Sequence, residues 1–310
     1  MKQVAFTLLL AVQVLCAVGQ DTTYWKSGGG AAFTFSQVSL TNWAAGGNNS
    51  ISVNGYFNVF ANYRKANVSW GNNLEMGYGI IRQGEAARAQ KTDDILIATT
   101  QFGYRLNGDK LYWSSLLDFR TQFYRGVNAD GDRISEFMAP GYLLVATGLD
   151  WKPSPVLSAT YAPVTGKFTF VRNQELANAG AFGVTPGIPD PVNPAVFLSA
   201  GSRHRAELGS FLKVMFNKEN LLPNVTVASK LELFSNYLKD FGNVDVNWQN
   251  MVSMKVNNLL TVNWQSQLIY DHDIKIEAFD DAGLSLGTHP RTQFKSVFGV
   301  GISYRFGATK

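Results

Sequence analysis

The chain has 310 residues, of which 16% are charged, and its formal net charge is +4. Mean hydropathy is −0.06, and beyond the N-terminus no unbroken apolar run reaches the about 18–20 residues that a transmembrane helix needs. These values exclude an ordinary helical membrane bundle, and the scattered basic residues give no support to nucleic-acid binding. Low charge without long apolar runs is typical of a membrane β-barrel, where only every second strand residue must be apolar.

The first 19 residues predict a secretory signal peptide, with Lys2, an apolar core over Val4–Val18 and small residues at its end. Cys16 is the only cysteine. It lies inside this segment, and Leu15 stands where lipoprotein acylation requires a small residue. The secreted chain is therefore expected to contain no disulfide and no thiol for metal binding or catalysis. Gln20–Gly30 is predicted to be an N-terminal periplasmic segment with a glycine hinge, followed by a barrel over residues 31–310.

In chain order, alternating apolar and polar residues predict about twelve strands, an even number as bacterial single-chain barrels require. They are Ala31–Asn42, Ser50–Arg64, Val68–Arg82, Asp94–Leu106, Leu111–Tyr124, Gly141–Trp151, Pro155–Thr169, Arg205–Asn217, Val225–Tyr237, Val244–Val256, Leu260–Tyr270 and Thr292–Phe306.

The clearest stretch is Pro223–Asp273, which is predicted to hold three long strands with one apolar and one strongly polar face each. A soluble antiparallel sandwich is the alternative, with its polar face in water. Strand length favours the membrane, because strands of soluble proteins run mostly about 5–6 residues and these run roughly 13–15. The expected fold is an all-β, transmembrane, antiparallel up-and-down barrel.

The connections alternate between short and long, as turns on the two sides of a barrel do. The short ones are assigned to the periplasm: Lys65-Ala66-Asn67, Asn107–Lys110, Lys152–Pro155, Glu219–Pro223 and Asn257-Asn258. The others are assigned to the outside: Trp43–Asn49, Gln83–Asp93, Arg125–Pro140, Asn173–Arg203, Lys239–Asn243 and Asp273–Arg291.

Aromatic residues of the apolar phase are predicted to form two girdles at the membrane interfaces. The periplasmic girdle is Tyr63, Trp70, Tyr104, Trp113, Trp151 and Phe306, and the outer girdle is Tyr78, Phe123, Tyr237, Trp248, Tyr270 and Phe294.

The polar phase supplies the candidate lumen-lining residues. They are Asn54, Asn58, Asn62, Glu75, Asp118, Arg120, Lys230, Glu232, Asp245, Lys255, Gln265, Gln267 and Arg305. Because both charge signs occur together, ion-pair networks are expected more than a selectivity filter of one sign. Twelve strands lie between the eight that side chains fill and the roughly sixteen that leave an open channel. The lumen is therefore expected to be a narrow conduit or to be plugged.

No catalytic, metal or cofactor site is predicted. His204, His272 and His289 all fall at or in outer loops, without the serine and orienting group that a hydrolase needs. The run Asn128–Asp132 departs from a calcium loop, because its glycine is at the fourth position instead of the sixth and Ala139 stands where the loop requires Glu. A polar turn is predicted there.

Several stretches resemble an uncharacterised family of Bacteroidota outer-membrane proteins, catalogued only as a domain of unknown function. The resemblance is carried by Trp25-Lys26-Ser27-Gly28-Gly29, Phe35-Ser36-Gln37-Val38-Ser39-Leu40, Asn42-Trp43-Ala44-Ala45-Gly46-Gly47, Gly180-Ala181-Phe182-Gly183-Val184, Leu233-Phe234-Ser235-Asn236-Tyr237 and Tyr270-Asp271. It implies an outer-membrane location and no activity. Tyr304-Arg305-Phe306 is similar to the aromatic C-terminal signal of barrels, but four residues follow it.

The expected function is passage or binding of a small solute through a narrow polar lumen in the bacterial outer membrane. The alternative is a closed structural or assembly barrel whose outer loops, above all Asn173–Arg203, dock a partner protein. In both cases the expected surroundings are outer-membrane lipid, and no enzyme activity is expected.

Overall fold

The computed structural model describes residues 24–40, 48–84, 89–128, 131–194, 196–257, 260–279 and 284–307. The predicted signal peptide lies outside these residues, as do Asn42–Gly47 of the resembling stretches. No helix among the described residues is long and apolar enough to cross a membrane.

Twelve antiparallel strands form one closed barrel, which confirms the predicted fold. They are β1 (Trp25–Val38), β2 (Ser50–Lys65), β3 (Val68–Gln83), β4 (Gln90–Asn107), β5 (Leu111–Thr121), β6 (Gly141–Ser154), β7 (Leu157–Phe170), β8 (His204–Leu222), β9 (Val225–Asn236), β10 (Val244–Lys255), β11 (Leu260–Tyr270) and β12 (Gln293–Gly307). Each strand pairs with the next in sequence, and β12 pairs with β1 from Gly28↔Gly307 to Phe35↔Val300 to close the ring.

Short and long connections fall at opposite ends of the barrel, as the antiparallel order requires. We call these the short-turn end and the long-loop end. The turns at the first are tight, and Ala66 and Gly108 have positive φ angles of 49° and 57°. The described residues of the long loops add three hairpins, a short α-helix and the 3₁₀ turn Ala181–Gly183. The hairpins and the helix are Gly126–Val127 with Arg133–Ser135, Ile188–Pro189 with Phe197–Ser199, Lys275–Phe279 with Ser285–Pro290, and α1 (Gln174–Asn178), which the Asn173 side chain caps.

The distribution of side chains is inverted relative to that of a water-soluble protein. Trp113 is 42% exposed and Phe298 63%, whereas Asp118 and Glu232 are only 6% and 7% exposed. Apolar side chains alternate outward and polar ones inward along each strand, as in a barrel that lies in lipid. Three outward tryptophans have partners for their indole N–H groups, since Trp70 donates to Thr100, Trp248 to Ser229 and Trp264 to Ser296.

One boundary predicted from the sequence is wrong. Gly28-Gly29-Gly30 is not a hinge ahead of the barrel, because β1 begins at Trp25 and pairs with β2 from Trp25↔Tyr63 onward. The Phe60 ring covers the inner side of Gly28, 2.9 Å from where a Cβ would stand, and the Phe306 ring covers the outer side of Gly29 at 2.7 Å. Gly28 and Gly29 are needed because neighbouring rings occupy the space of their side chains.

Candidate functional site: the barrel interior

The interior is divided into two unlike parts. We call the inward faces of β5–β9 the filled half and the inward faces of β12, β1, β2 and β3 the open half. Strand β4 separates the two halves on one side of the ring, and β10 and β11 separate them on the other. Buried inward side chains concentrate in the filled half, where Leu116, Ala146, Ala162, Phe211 and Phe234 form an apolar cluster. In β12 and β1–β3, all of whose residues are described, the only buried residues are glycines.

Charged side chains cross the filled half at mid-height. Arg120 of β5 donates from Nη2 to Oε1 of Glu232 on β9 at 2.7 Å, and it also pairs with Asp118. Because four junctions separate β5 from β9, this pair is a bridge through the interior and not a contact between neighbours. Thr99 donates to Asp118 at 2.8 Å and Asn247 to Glu232 at 3.0 Å, so the remaining carboxylate oxygens are also bonded. Such complete bonding is what allows ion pairs to be buried.

A second bridge lies closer to the short-turn end. Lys213 of β8 donates from Nζ to Oε1 of Gln101 on β4 at 3.0 Å, and the Gln101 amide donates to Ser114 and to Asp150. Thr160 donates to the other oxygen of Asp150 at 3.0 Å. The side chains of five strands, β4 to β8, are thus joined, and the bridge closes this part of the lumen.

A third group of charges lies at the long-loop rim of the filled half. Lys167 of β7 binds Asp245 of β10 at 2.6 Å and Asp271 at 3.4 Å. In the adjoining loops, Lys239 donates to Asp273 at 3.0 Å, which raises the pKa of that lysine. Burial raises the pKa of the Asp273 carboxyl, but the hydrogen bond from Lys239 and the charge of Arg205 outweigh it, so the net pKa is lowered.

The open half has small inward residues, and its larger ones lie along the wall. Phe60 covers Gly28, Asn54 lies over Gly79, and Thr34 lies over Gly299. A glycine on the neighbouring strand lets a large side chain fold sideways, and this keeps the side chain out of the middle of the lumen. The inward glycines of this half are Gly28, Gly30, Gly71, Gly77, Gly79, Gly299, Gly301 and Gly307.

A row of hydrogen-bonded polar groups lies on this wall. Tyr56 donates its hydroxyl to Glu75 at 3.0 Å, and Asn73 donates to the other Glu75 oxygen at 2.6 Å. Asn58 in turn donates to Asn73. All four side chains are on β2 and β3, so these bonds hold polar groups against the wall and leave their free edges toward the lumen.

An ion pair between described residues spans the open half, at its long-loop mouth. Lys295 of β12 lies 3.2 Å from Asp93 of β4, and the two strands are four junctions apart. Both side chains are partly exposed, at 40% and 23%. At the short-turn rim Arg305 and Glu219 pair at 3.0 Å. An exposed pair is weak, so the mouth is closed by a contact that opens far more easily than the buried bridges.

The structure separates the predicted lumen residues into groups. Asp118, Arg120 and Glu232 form the central bridge, and Asp245 belongs to the rim cluster. Asn54, Asn58 and Glu75 lie on the open wall.

The remaining predicted residues belong to none of these groups. Asn62 lies beside Gly71, Lys255 ends β10 with an exposed side chain, and Arg305 is at the short-turn rim. Gln267 donates to Asn247, Gln265 contacts the Met251 sulfur, and Lys230 has no ion-pair partner among the described residues. Their role in lining a conduit stays a prediction.

Sequence reasoning missed several residues that the structure makes important. Lys167, Lys213, Gln101 and Asp93 were not singled out, although each lies in the inward phase of its strand. Strand periodicity could have found them as inward residues. It could not have shown that they reach partners on distant strands.

The fold and the interior define a transmembrane β-barrel. Residues 35–126 match the model of a family described as "Protein of unknown function (DUF3078)". This match confirms the resemblance to a family of unknown function, while the Bacteroidota origin stays a prediction. No curated protein matches the sequence.

Solved barrels resemble the chain at low identity. An outer membrane channel from Pseudomonas putida F1 has 10% identity and a TM-score of 0.42, covering 93% of this chain and 100% of that one. The translocator domain of autotransporter NalP from Neisseria meningitidis has 10% identity and a TM-score of 0.38, covering 98% of both chains. The toluene transporter TodX of P. putida has 9% identity and a TM-score of 0.29, covering 92% and 90%. The fold assignment rests on the strand pairing of this chain.

Proposed function

We propose that this protein is an outer-membrane β-barrel that passes a small polar solute along the open half of its lumen. In this arrangement the short turns face the periplasm and the long loops face outside. The observation that carries the proposal is the contrast in burial: the filled half is closed by bonded bridges and an apolar cluster, whereas no side chain of the open half is buried.

The chemistry of the open wall favours a solute with hydroxyl or other neutral polar groups. Asn58, Tyr56 and Asn73 present amides and a hydroxyl, which exchange hydrogen bonds with such a solute and replace those that it made with water. The only carboxylate in this row, Glu75, already accepts two hydrogen bonds. A dehydrated ion would therefore find less stabilisation here than a neutral solute.

The Lys295–Asp93 pair is the gate of this conduit in our proposal. It crosses the long-loop mouth of the open half. Because both side chains are partly exposed, breaking the ion pair costs little free energy. A solute entering from outside would meet this pair first, and separation of the two side chains would open the path.

Liposome swelling tests the proposal. Purified protein in phospholipid vesicles should admit a small sugar such as arabinose and admit the trisaccharide raffinose far more slowly. Vesicles that swell with neither sugar, together with no conductance in a planar bilayer, would refute solute passage.

The second candidate is a closed barrel whose outer loop docks a partner protein. It is favoured by exposed apolar side chains on the hairpin of the long loop, where Val192 is 92% exposed and Leu198 is 66% exposed. This candidate predicts that replacing both residues by serine abolishes in-cell crosslinking to a partner and leaves flux at zero. Sugar flux through the purified barrel would decide for the first candidate.

A further inference from the structure

A groove on the long-loop rim has no part in the conduit. It lies between the segment Phe123–Arg125, the side chain of Phe137 and the segment Arg172–Gln174, and its volume is about 560 Å³. Phe123 is 43% exposed and Phe137 44%. The groove thus combines an aromatic wall with two arginines, Arg125 and Arg172.

Its position is at the outward edge of the barrel. Asp94 is in the outward phase of β4, and its carboxylate accepts the backbone N–H groups of Phe123 and Tyr124 at 2.7 and 2.9 Å. Thr121, also in the outward phase, donates to the Pro140 carbonyl and accepts from the Met138 N–H. The loop is therefore folded over the outer side of the rim, where a membrane barrel meets lipid headgroups.

The walls of the groove are fixed by buried polar contacts. The Gln122 amide donates to the carbonyls of Glu136 and Ala139, and its oxygen accepts from Lys91 and Ser135. The backbone N–H of Arg172 donates to the Met138 carbonyl at 2.8 Å, and this bond joins the segment Arg172–Gln174 to the loop that carries Phe137. Such a preformed cavity costs little ordering free energy when a ligand binds.

The charge of the groove is positive. Among the described residues that line it, Glu136 is the one acid, and this carboxylate is already bonded to Arg133 and to the Asn173 amide. Within the described part of the chain, Arg125 and Arg172 have no carboxylate at ion-pair distance. Guanidinium groups bind phosphate through paired hydrogen bonds, and aromatic rings at headgroup level pack against the start of acyl chains.

We propose that this groove binds the phosphate headgroup of an anionic membrane lipid, with Arg125 and Arg172 on the phosphate and Phe123 and Phe137 against the acyl chains. The proposal rests on the barrel lying in a membrane but not on solute passage, so loss of lipid binding and loss of flux are separate results. The apolar wall distinguishes a lipid from free phosphate, which would leave the two rings uncovered.

Native mass spectrometry of the full chain in detergent tests this, with phosphatidylglycerol and phosphatidylcholine of identical acyl chains as probes. The wild type should retain phosphatidylglycerol preferentially. The R125A/R172A double variant should lose this preference by about tenfold or more. R64A, which removes an exposed arginine at the short-turn end, should leave it unchanged.

Two further arms keep the result decisive. R125K/R172K retains the charge but loses the paired guanidinium hydrogen bonds, so it should keep more of the preference than R125A/R172A and less than the wild type. Excess inorganic phosphate should not displace the lipid. Equal retention of both lipids by the wild type, equal loss in R64A, or full displacement by inorganic phosphate would each overturn the proposal.

Discussion

The filled and open halves of this barrel are built from the same kind of strand but solve the problem of inward polar groups differently. In the filled half, charges reach across to distant strands, as Arg120 does to Glu232. In the open half, polar groups bond to neighbours on the same wall, as Tyr56 does to Glu75. The difference shows that the direction in which an inward side chain finds its partner decides whether a lumen is closed.

The largest expected effect comes from a bulky side chain on the open wall. N58W places an indole where the Asn58 amide now lies against the wall, and the added volume should obstruct the conduit. Single-channel conductance in KCl should fall by about tenfold or more. The matched control is V59W, one residue along β2 on the outward face, which should conduct like the wild type. Unchanged conductance in N58W would show that solute does not follow this wall.

The next prediction concerns the central bridge. R120A leaves Asp118 and Glu232 buried without their cation, so the barrel should lose about 3–5 kcal/mol in unfolding free energy, measured by urea titration in lipid vesicles. Its conductance should change by less than about twofold, because solute does not pass here. R133A, which breaks the more exposed loop pair with Glu136, is the control and should cost less than about 1 kcal/mol. A strongly increased conductance in R120A would place the path in the filled half.

Strand phase was readable from the sequence wherever side chains alternate in size and polarity, as in Val225–Tyr237. It failed at Gly28-Gly29-Gly30, because glycine has no side chain and so shows no period. The two halves were not predictable either. Lys213 and Gln101 are far apart in the chain, and their contact depends on how the barrel is closed, which no local pattern encodes. The alternation of residues along a strand predicts which side chains face the lumen. It does not predict how far across the lumen such a side chain reaches to its partner.

A smaller effect is expected at the mouth. K295A removes the bond to Asp93 and should raise the open probability in planar bilayers by about two- to fivefold, in line with the modest strength of an exposed ion pair. K295R should behave like the wild type, because it keeps the charge. Reduced opening in K295A would mean that the pair holds the mouth in its open form.

The smallest expected effect is the loss of stability at low pH in the loop that contains Asp273. The pKa of Asp273 is lowered in the folded protein, so its contribution to loop stability is present above the ordinary Asp pKa of about 3.9 and is lost as pH falls through the lowered value. The protection factors of residues 271–279 against hydrogen exchange, corrected for the slower intrinsic exchange of amides in acid, should therefore fall as pH is lowered in the wild type. In D273N this acid-dependent step should be absent, and the loss at neutral pH should be below about 1 kcal/mol. An unaltered acid step in D273N would assign it to another group.

Cysteine accessibility tests the central contrast most directly. In a chain with Cys16 replaced by serine, T34C puts one thiol on the open wall and S114C puts one in the filled half. The rate of modification by a water-soluble thiol reagent is then measured in lipid vesicles. T34C should react at least about tenfold faster than S114C, since thiol reactivity follows water access. Equal rates would contradict the existence of an open half.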